Sequence, residues 1–214
     1  MLRKKIAILL ILIFHFGTLV NSQELAVQKQ DFNNKIIATV DKETITELDV
    51  KKEILFYRFI NNISKDKELN HDEIVKNLVN EKIKKFEVES DQFKNYLKID
   101  DKEINNSVYY YLQQRKVSIE NFNQFCKKNE ILNSYLKDKI VTEMKWDQLI
   151  NGLYNRNINI AISEINKQVE NIKDENEKET EKNKIINKEK EESLMKYSLE
   201  FLEKSKKKYV INYL

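Results

Sequence analysis

Residues 35–49 read KIIATVDKETITELD, and this stretch decides the fold class. Lys35-Ile-Ile-Ala-Thr-Val40 is β-prone, Asp41-Lys42 reads as a turn, and Thr44-Ile45 as a brief return strand. Thr46-Glu-Leu-Asp49 then places a hydroxyl at a helix start with an acid three residues on, a pairing that satisfies two backbone N–H groups a helix end leaves unbonded. The helix is expected to run to about Asn61. Leu48, Leu55 and Phe59 share one face, with Val50, Ile54 and Tyr57 opposite, so it needs cover on two sides.

The same start signal recurs downstream. Asn70 opens a helix carrying Val75, Leu78, Val79, Ile83 and Phe86 near one stripe, and Asp100 opens another carrying Ile104, Val108, Tyr111 and Leu112. Ser118 caps a short helix with Phe122, Phe125 and Cys126, a long helix follows over about 131–154, and Ser163 is read as the cap of a sixth. Residues 173–192 (KDENEKETEKNKIINKEKEE) are nearly all charged or amide-bearing, which describes a solvated helix or a flexible connector. Leu194, Tyr197, Leu199 and Leu202 suggest a further amphipathic helix. The chain ends in Tyr209-Val-Ile-Asn-Tyr-Leu214, a strand by composition, whose only other β-prone counterpart is the stretch 35–40. The expected fold is mainly α: a multi-helix module with a small sheet that pairs the amino-terminal and carboxyl-terminal strands.

Composition narrows the function classes. Proline is absent and glycine occurs only at Gly17 and Gly152, which argues against glycine-rich phosphate loops and many-turned β-sandwiches. The formal charge is +3, but Arg3, Lys4 and Lys5 supply it; residues 1–22 hold no acid, and the rest of the chain balances. No basic excess marks a nucleic-acid binder, and a near-neutral chain implies weak salt dependence of any binding. Cys126 is the only cysteine, so neither an internal disulfide nor a cysteine-based metal site is expected.

Residues 1–22 resemble an export signal. Met1-Leu-Arg-Lys-Lys5 is a basic start, Ile6 to Phe16 an apolar run broken only by His15, and Val20 and Ser22 fit the positions before a cleavage site, so Gln23 is the expected new amino terminus. The run of 11 residues is short against the ~20 that a spanning helix needs, so no stable membrane insertion is expected after cleavage. The expected layout is a signal at 1–22, a helical module at 23–165, a charged connector at 166–192 and a returning helix and strand at 193–214.

No residue reads as catalytic. His71 stands at a helix start with no Cys or His beside it, Cys126 lies on an apolar face with Phe122, and Asp100, Asp101 and Glu103 are explained by capping and the helix dipole. The aromatic residues say more. Phe56, Tyr57, Phe59, Tyr109, Tyr110, Tyr111, Phe122, Phe125 and Tyr135 are spread over four helices. Neighbours in a helix point ~100° apart, so Tyr109, Tyr110 and Tyr111 cannot share one core, and at least one ring faces solvent or a groove. Rings with a polar tip suit an extended polypeptide ligand. The candidate binding residues are therefore Phe56, Tyr57, Phe59, Tyr109, Tyr110, Tyr111, Phe122 and Tyr135.

The order of these pieces resembles the SurA family of periplasmic chaperones. The stretch 36–49 resembles that family's opening strand, turn and capped helix, and LVNEKI (78–83) its second helix. YLQQRKVSIENF (111–122) resembles its Ser-x-Glu-x-Phe element, 136–149 the long helix after it, and 197–214 its returning helix and strand. The likeness spans about 150 residues and rests on order rather than on any one motif. Members usually carry parvulin-type isomerase domains between module and return segment. Only the charged stretch fills that place here, too short for a domain, since domains start near ~50 residues. The resemblance implies a cofactor-free, non-catalytic, ATP-independent periplasmic chaperone that holds unfolded outer-membrane or envelope polypeptides. The alternatives are a prolyl-isomerase-related protein and a membrane-tethered structural helical protein.

Overall fold

A computed structural model of the chain describes residues 35–214. The expected signal segment, with its Ser22 and Gln23 cleavage positions, lies outside the described residues. The fold is mainly α, with seven α-helices and one three-stranded antiparallel sheet among the described residues. β1 (Ile36–Val40) turns through Asp41-Lys42 into β2 (Glu43–Thr46). The helices follow in order: α1 (Glu47–Ile60), α2 (His71–Glu89), α3 (Asp101–Gln114), α4 (Ile119–Lys128), α5 (Ser134–Tyr154), α6 (Ile162–Gln168) and α7 (Glu175–Lys206). β3 (Ile211–Tyr213) closes the chain. Its partner is the one the sequence pointed to: β3 runs antiparallel to β1, with Ala38 opposite Tyr213 and Val40 opposite Ile211.

Local capping explains most helix starts. Thr46 and Asp49 form the reciprocal box, Asn70 accepts from the Asp72 and Glu73 amides, Asp100 from Lys102, and Ser118 from Asn121. Ser163 does not cap; the cap position of α6 lies two residues earlier, at Ala161, with no side-chain oxygen on its first amides. α6 is instead held by tertiary burial, with Ile165 and Val169 shut away as it packs on α7.

Three helix ends show what scarcity of glycine does. Asn62, Lys116 and Glu130 follow α1, α3 and α4 with φ of 51°, 57° and 54°. In each the next amide bonds back across the last turn (Ile63 to Arg58, Val117 to Leu112, Ile131 to Cys126), the closure glycine normally serves. A side chain in this region costs about 1–2 kcal/mol. Replacing both Lys116 and Glu130 by glycine is expected to raise the melting temperature by about 3 °C, because relief of strain exceeds the added unfolded-state entropy. Calorimetry of the double variant checks this; a lower midpoint would contradict it.

Two hydrophobic cores share α1 and α5. The first gathers Ala38, Val40 and Ile45 of the sheet, Val79 and Ile83 of α2, Trp146 and Ile150 of α5, and Phe201 and Leu202 of α7. The second gathers Phe56 and Ile60 of α1, Leu112 of α3, Phe122 and Cys126 of α4, and Leu136 of α5. Two-sided cover of α1 is therefore real, but its members differ from the expected faces. Val50 and Ile54 join the first core and Phe56, Phe59 and Ile60 the second, while Leu55 and Tyr57 are exposed.

The charged stretch is helical. Asp174 caps α7, which runs unbroken from Glu175 to Lys206, covering nearly all of the charged stretch and continuing into the return segment, so the expected boundary at 192/193 falls inside one helix. Lys and Glu are good helix formers, and pairs such as Glu181 with Lys184 and Lys188 with Glu192 brace the solvent face. On the packed face Phe201, not Leu199, joins Leu202 in the core; Leu199 is exposed. Lys208 and Tyr209 then lock the return to α2. Both donate to the buried Glu87 carboxylate, at 2.8 Å and 3.0 Å, and the phenol of Tyr209 is held well above its ordinary pKa by burial and by that carboxylate.

Candidate functional site: a groove over α5

α2 and α3 each pack on α5, and between them opens a groove of about 800 Å³, with Asp49 and Lys52 of α1 and Ile45 of β2 at its base. α5 is the floor, because its long apolar face passes from one core to the other. Leu136 belongs to the second core and Trp146 to the first, and the half-buried Ile140, Val141 and Met144 between them face the opening. Leu78 of α2 and Tyr110 and Tyr111 of α3 supply apolar walls.

Beneath the groove, where the two cores meet, lies a charged network. Lys139 donates to both oxygens of Glu81 at 2.5 Å and lies 3.0 Å from the buried Glu53, whose carboxylate also accepts from the Tyr135 hydroxyl. The Lys139 ammonium also sits 5.9 Å from the Phe56 ring centre and 5.1 Å from that of Tyr135. Burial works to lower the Lys139 pKa, but the charges of Glu81 and Glu53 outweigh it and hold it above its ordinary value. Burial raises the Glu81 carboxyl, against the pull of Lys139, and burial together with Glu53 raises the Tyr135 phenol. A lysine held protonated is no amine nucleophile, and a phenol held neutral is a donor rather than a base. These contacts tie α1, α2 and α5 together beneath the groove.

The sequence-derived binding residues divide three ways. Tyr110, Tyr111 and Tyr135 line the groove. Tyr110 is 64% exposed and edges against the half-exposed Tyr109, while Tyr111 is half-buried under the Arg115 guanidinium, 3.7 Å away. Tyr57 is exposed but outside the groove, and the half-buried Phe59 is spent on stacking with Phe125 at 4.0 Å. Phe56 and Phe122 are interior, packed edge to face and each only 4% exposed, so they shape the module from within. Sequence reasoning missed Leu78, Ile140 and Met144 as groove residues. It also missed Glu81 and Lys139, whose signal was a charge set inside an otherwise apolar-periodic helix.

His71 is exposed at the start of α2, and Cys126 is fully buried in the second core, its thiol pushed up by burial. Among the described residues, no group of three or more His, Cys, Asp or Glu side chains is placed to hold a metal ion. Among the same residues no helix is long and apolar enough to cross a membrane. In comparison with known proteins, the chain matches no protein-family model and no curated relative.

Proposed function

We propose that this chain is an ATP-independent holding chaperone of the periplasm, without catalytic activity, which shelters extended segments of unfolded outer-membrane or envelope proteins in the groove over α5. The observation that carries the reading is the groove itself: an open trough of mostly apolar surface edged by tyrosines, whose central charges Lys139, Glu81 and Glu53 are tied to one another. Binding pockets fall in the range of about 300–1,000 Å³ and pair apolar walls with a few placed polar groups, and this groove fits that description. The export-like start and the SurA-like order of elements support the location and the client class. Exposed strands of barrel proteins alternate apolar and polar residues and stay extended until folded, and a shallow site holding them through apolar contact would release them quickly.

The test is suppression of aggregation of a denatured outer-membrane barrel protein by the chain beginning at Gln23. Suppression at near-stoichiometric ratio is expected. Replacing Tyr109 and Tyr110 by alanine removes exposed rings while sparing Tyr111, which packs on the second core. That double variant should fold normally and need about five- to ten-fold more protein for equal protection, the effect of losing about 1–1.4 kcal/mol of contact. Absence of suppression by the unaltered chain in excess would end the reading.

A further inference from the structure

Resting on that reading of the groove as a polypeptide site, the charges along its floor narrow the client. The lining carries six carboxylates, those of Asp49, Glu81, Glu89, Asp138, Glu143 and Asp147, and only four lysines. Much of this charge is already matched within the protein. Lys139 is shared between Glu81 and Glu53, Lys82 pairs with Glu43 at 2.7 Å, and Asp49 is occupied by capping Thr46. What is left, among the described residues, is three carboxylates without an ion pair, Glu89, Asp138 and Asp147, against two such lysines, Lys52 and Lys85, so the surplus is acidic by a small margin and is concentrated at the Glu143–Asp147 end.

The imbalance is built from a pattern that occurs twice on the α2–α5 seam: two carboxylates around one ammonium. Near one end Glu53 and Glu81 flank Lys139. One turn or two further along α5, Glu143 and Asp147 stand four residues apart on one face, and the ammonium beside them is that of Lys84. Lys84 donates to both oxygens of Glu143, at 2.9 Å and 2.7 Å, and lies 5.6 Å over the Trp146 ring, so its contacts are taken. Asp147 has no ion-pair partner within 4.0 Å among the described residues. Partial loss of solvent, and then the neighbouring Glu143 charge, raises its carboxyl against the opposing pull of Lys84. Each cluster is one negative charge in excess beside an apolar trough.

We propose that the groove selects extended polypeptide segments in which lysine or arginine alternates with aromatic or aliphatic residues, the apolar side chains lying on Ile140, Met144 and Leu78 and a basic side chain completing the Glu143–Asp147 pair. Alternation follows from extended geometry, which sends successive side chains to opposite sides. An acidic segment of the same apolar content meets like charge at the floor and is disfavoured. The near-neutral total charge of the chain conceals this local field, so binding is salt-dependent after all.

The experiment uses two labelled twelve-residue peptides with identical alternating Phe and Val positions, one with lysine and one with glutamate between them. Binding is read by anisotropy and by the fluorescence of Trp146, the only tryptophan, which lies beneath Lys84. The lysine peptide is expected to bind at least ten-fold more tightly, with affinity falling as salt rises. Asp147→Lys, at an exposed position, should keep the circular dichroism spectrum and abolish or invert that preference. Equal binding of both peptides, or a preference untouched by Asp147→Lys, overturns the charge selection and leaves the holding function standing. Absence of binding by either peptide to the folded chain overturns both.

Discussion

Removal of residues 208–214 is expected to lower the melting temperature by about 10 °C. Glu87 is 2% exposed and its carboxylate is bonded to Lys208 and Tyr209, both of which are lost. Stripping the partner from a buried charge costs about 3–5 kcal/mol, here toward the lower figure because Lys208 is half-exposed and screened by water. Further losses are the Tyr209 ring, 5.4 Å from Phe86, and the β3 ladder along β1. A total near 4 kcal/mol corresponds to about 8–16 °C for a chain of this size. The decisive control is Glu87→Leu in the truncated chain, which removes the orphaned charge and should restore part of the loss. A truncated chain that melts like the full one would show that the tail contributes nothing.

Trp146→Ala should be nearly as damaging, at about 3–5 kcal/mol. Trp146 is 1% exposed, packs 5.4 Å from Phe201, lies under Lys84, and donates its indole N–H to Ser198 at 2.8 Å. One side chain thus joins α5 to α2 and to α7, and its removal opens a cavity where three helices meet while leaving the Ser198 hydroxyl without its donor. Trp146→Phe keeps the ring volume in part and loses the hydrogen bond, so about 1–2 kcal/mol is expected. Urea denaturation followed by circular dichroism measures both, since tryptophan emission is lost in either variant. A cost below 1 kcal/mol for alanine would mean the site collapses freely and the first core is not tightly packed.

Much of the fold was legible because the forces that start a helix are local. An oxygen at Thr46, Asn70, Asp100 or Ser118 reaches amides two or three residues away, and the apolar stripe that follows is written in the same few residues. Ser163 failed as a cap because α6 is set by burial against α7 rather than by its first turn. The charged stretch 173–192 read equally as helix or connector for a related reason: Lys and Glu permit a helix, but its packing on α6 comes from elsewhere in the chain.

The candidate site was far less legible. Its walls and floor come from α2, α3 and α5, and its central ion pairs join residues far apart, Lys139 to Glu81 and Lys84 to Glu143. Aromatic residues marked the right helices, but a helical ring can point to a core or to water. The packing of α1 on α4 sent Phe56 and Phe122 inward and left Tyr109 and Tyr110 outside.

By itself, then, the sequence determined the class of the fold, the capped helix starts and the meeting of its first and last strands. Each depends on hydrogen bonds between near neighbours, on the period of apolar residues, or on there being only two β-prone segments to pair. Tertiary structure alone decided that α1 and α5 would each serve two cores, that charges scattered along α1, α2 and α5 would gather at the seam between them, and that the seam would carry an acidic surplus beneath an open groove. Those outcomes depend on how helices distant along the chain dock, and docking is governed by the sum of many apolar contacts that no short stretch of residues contains.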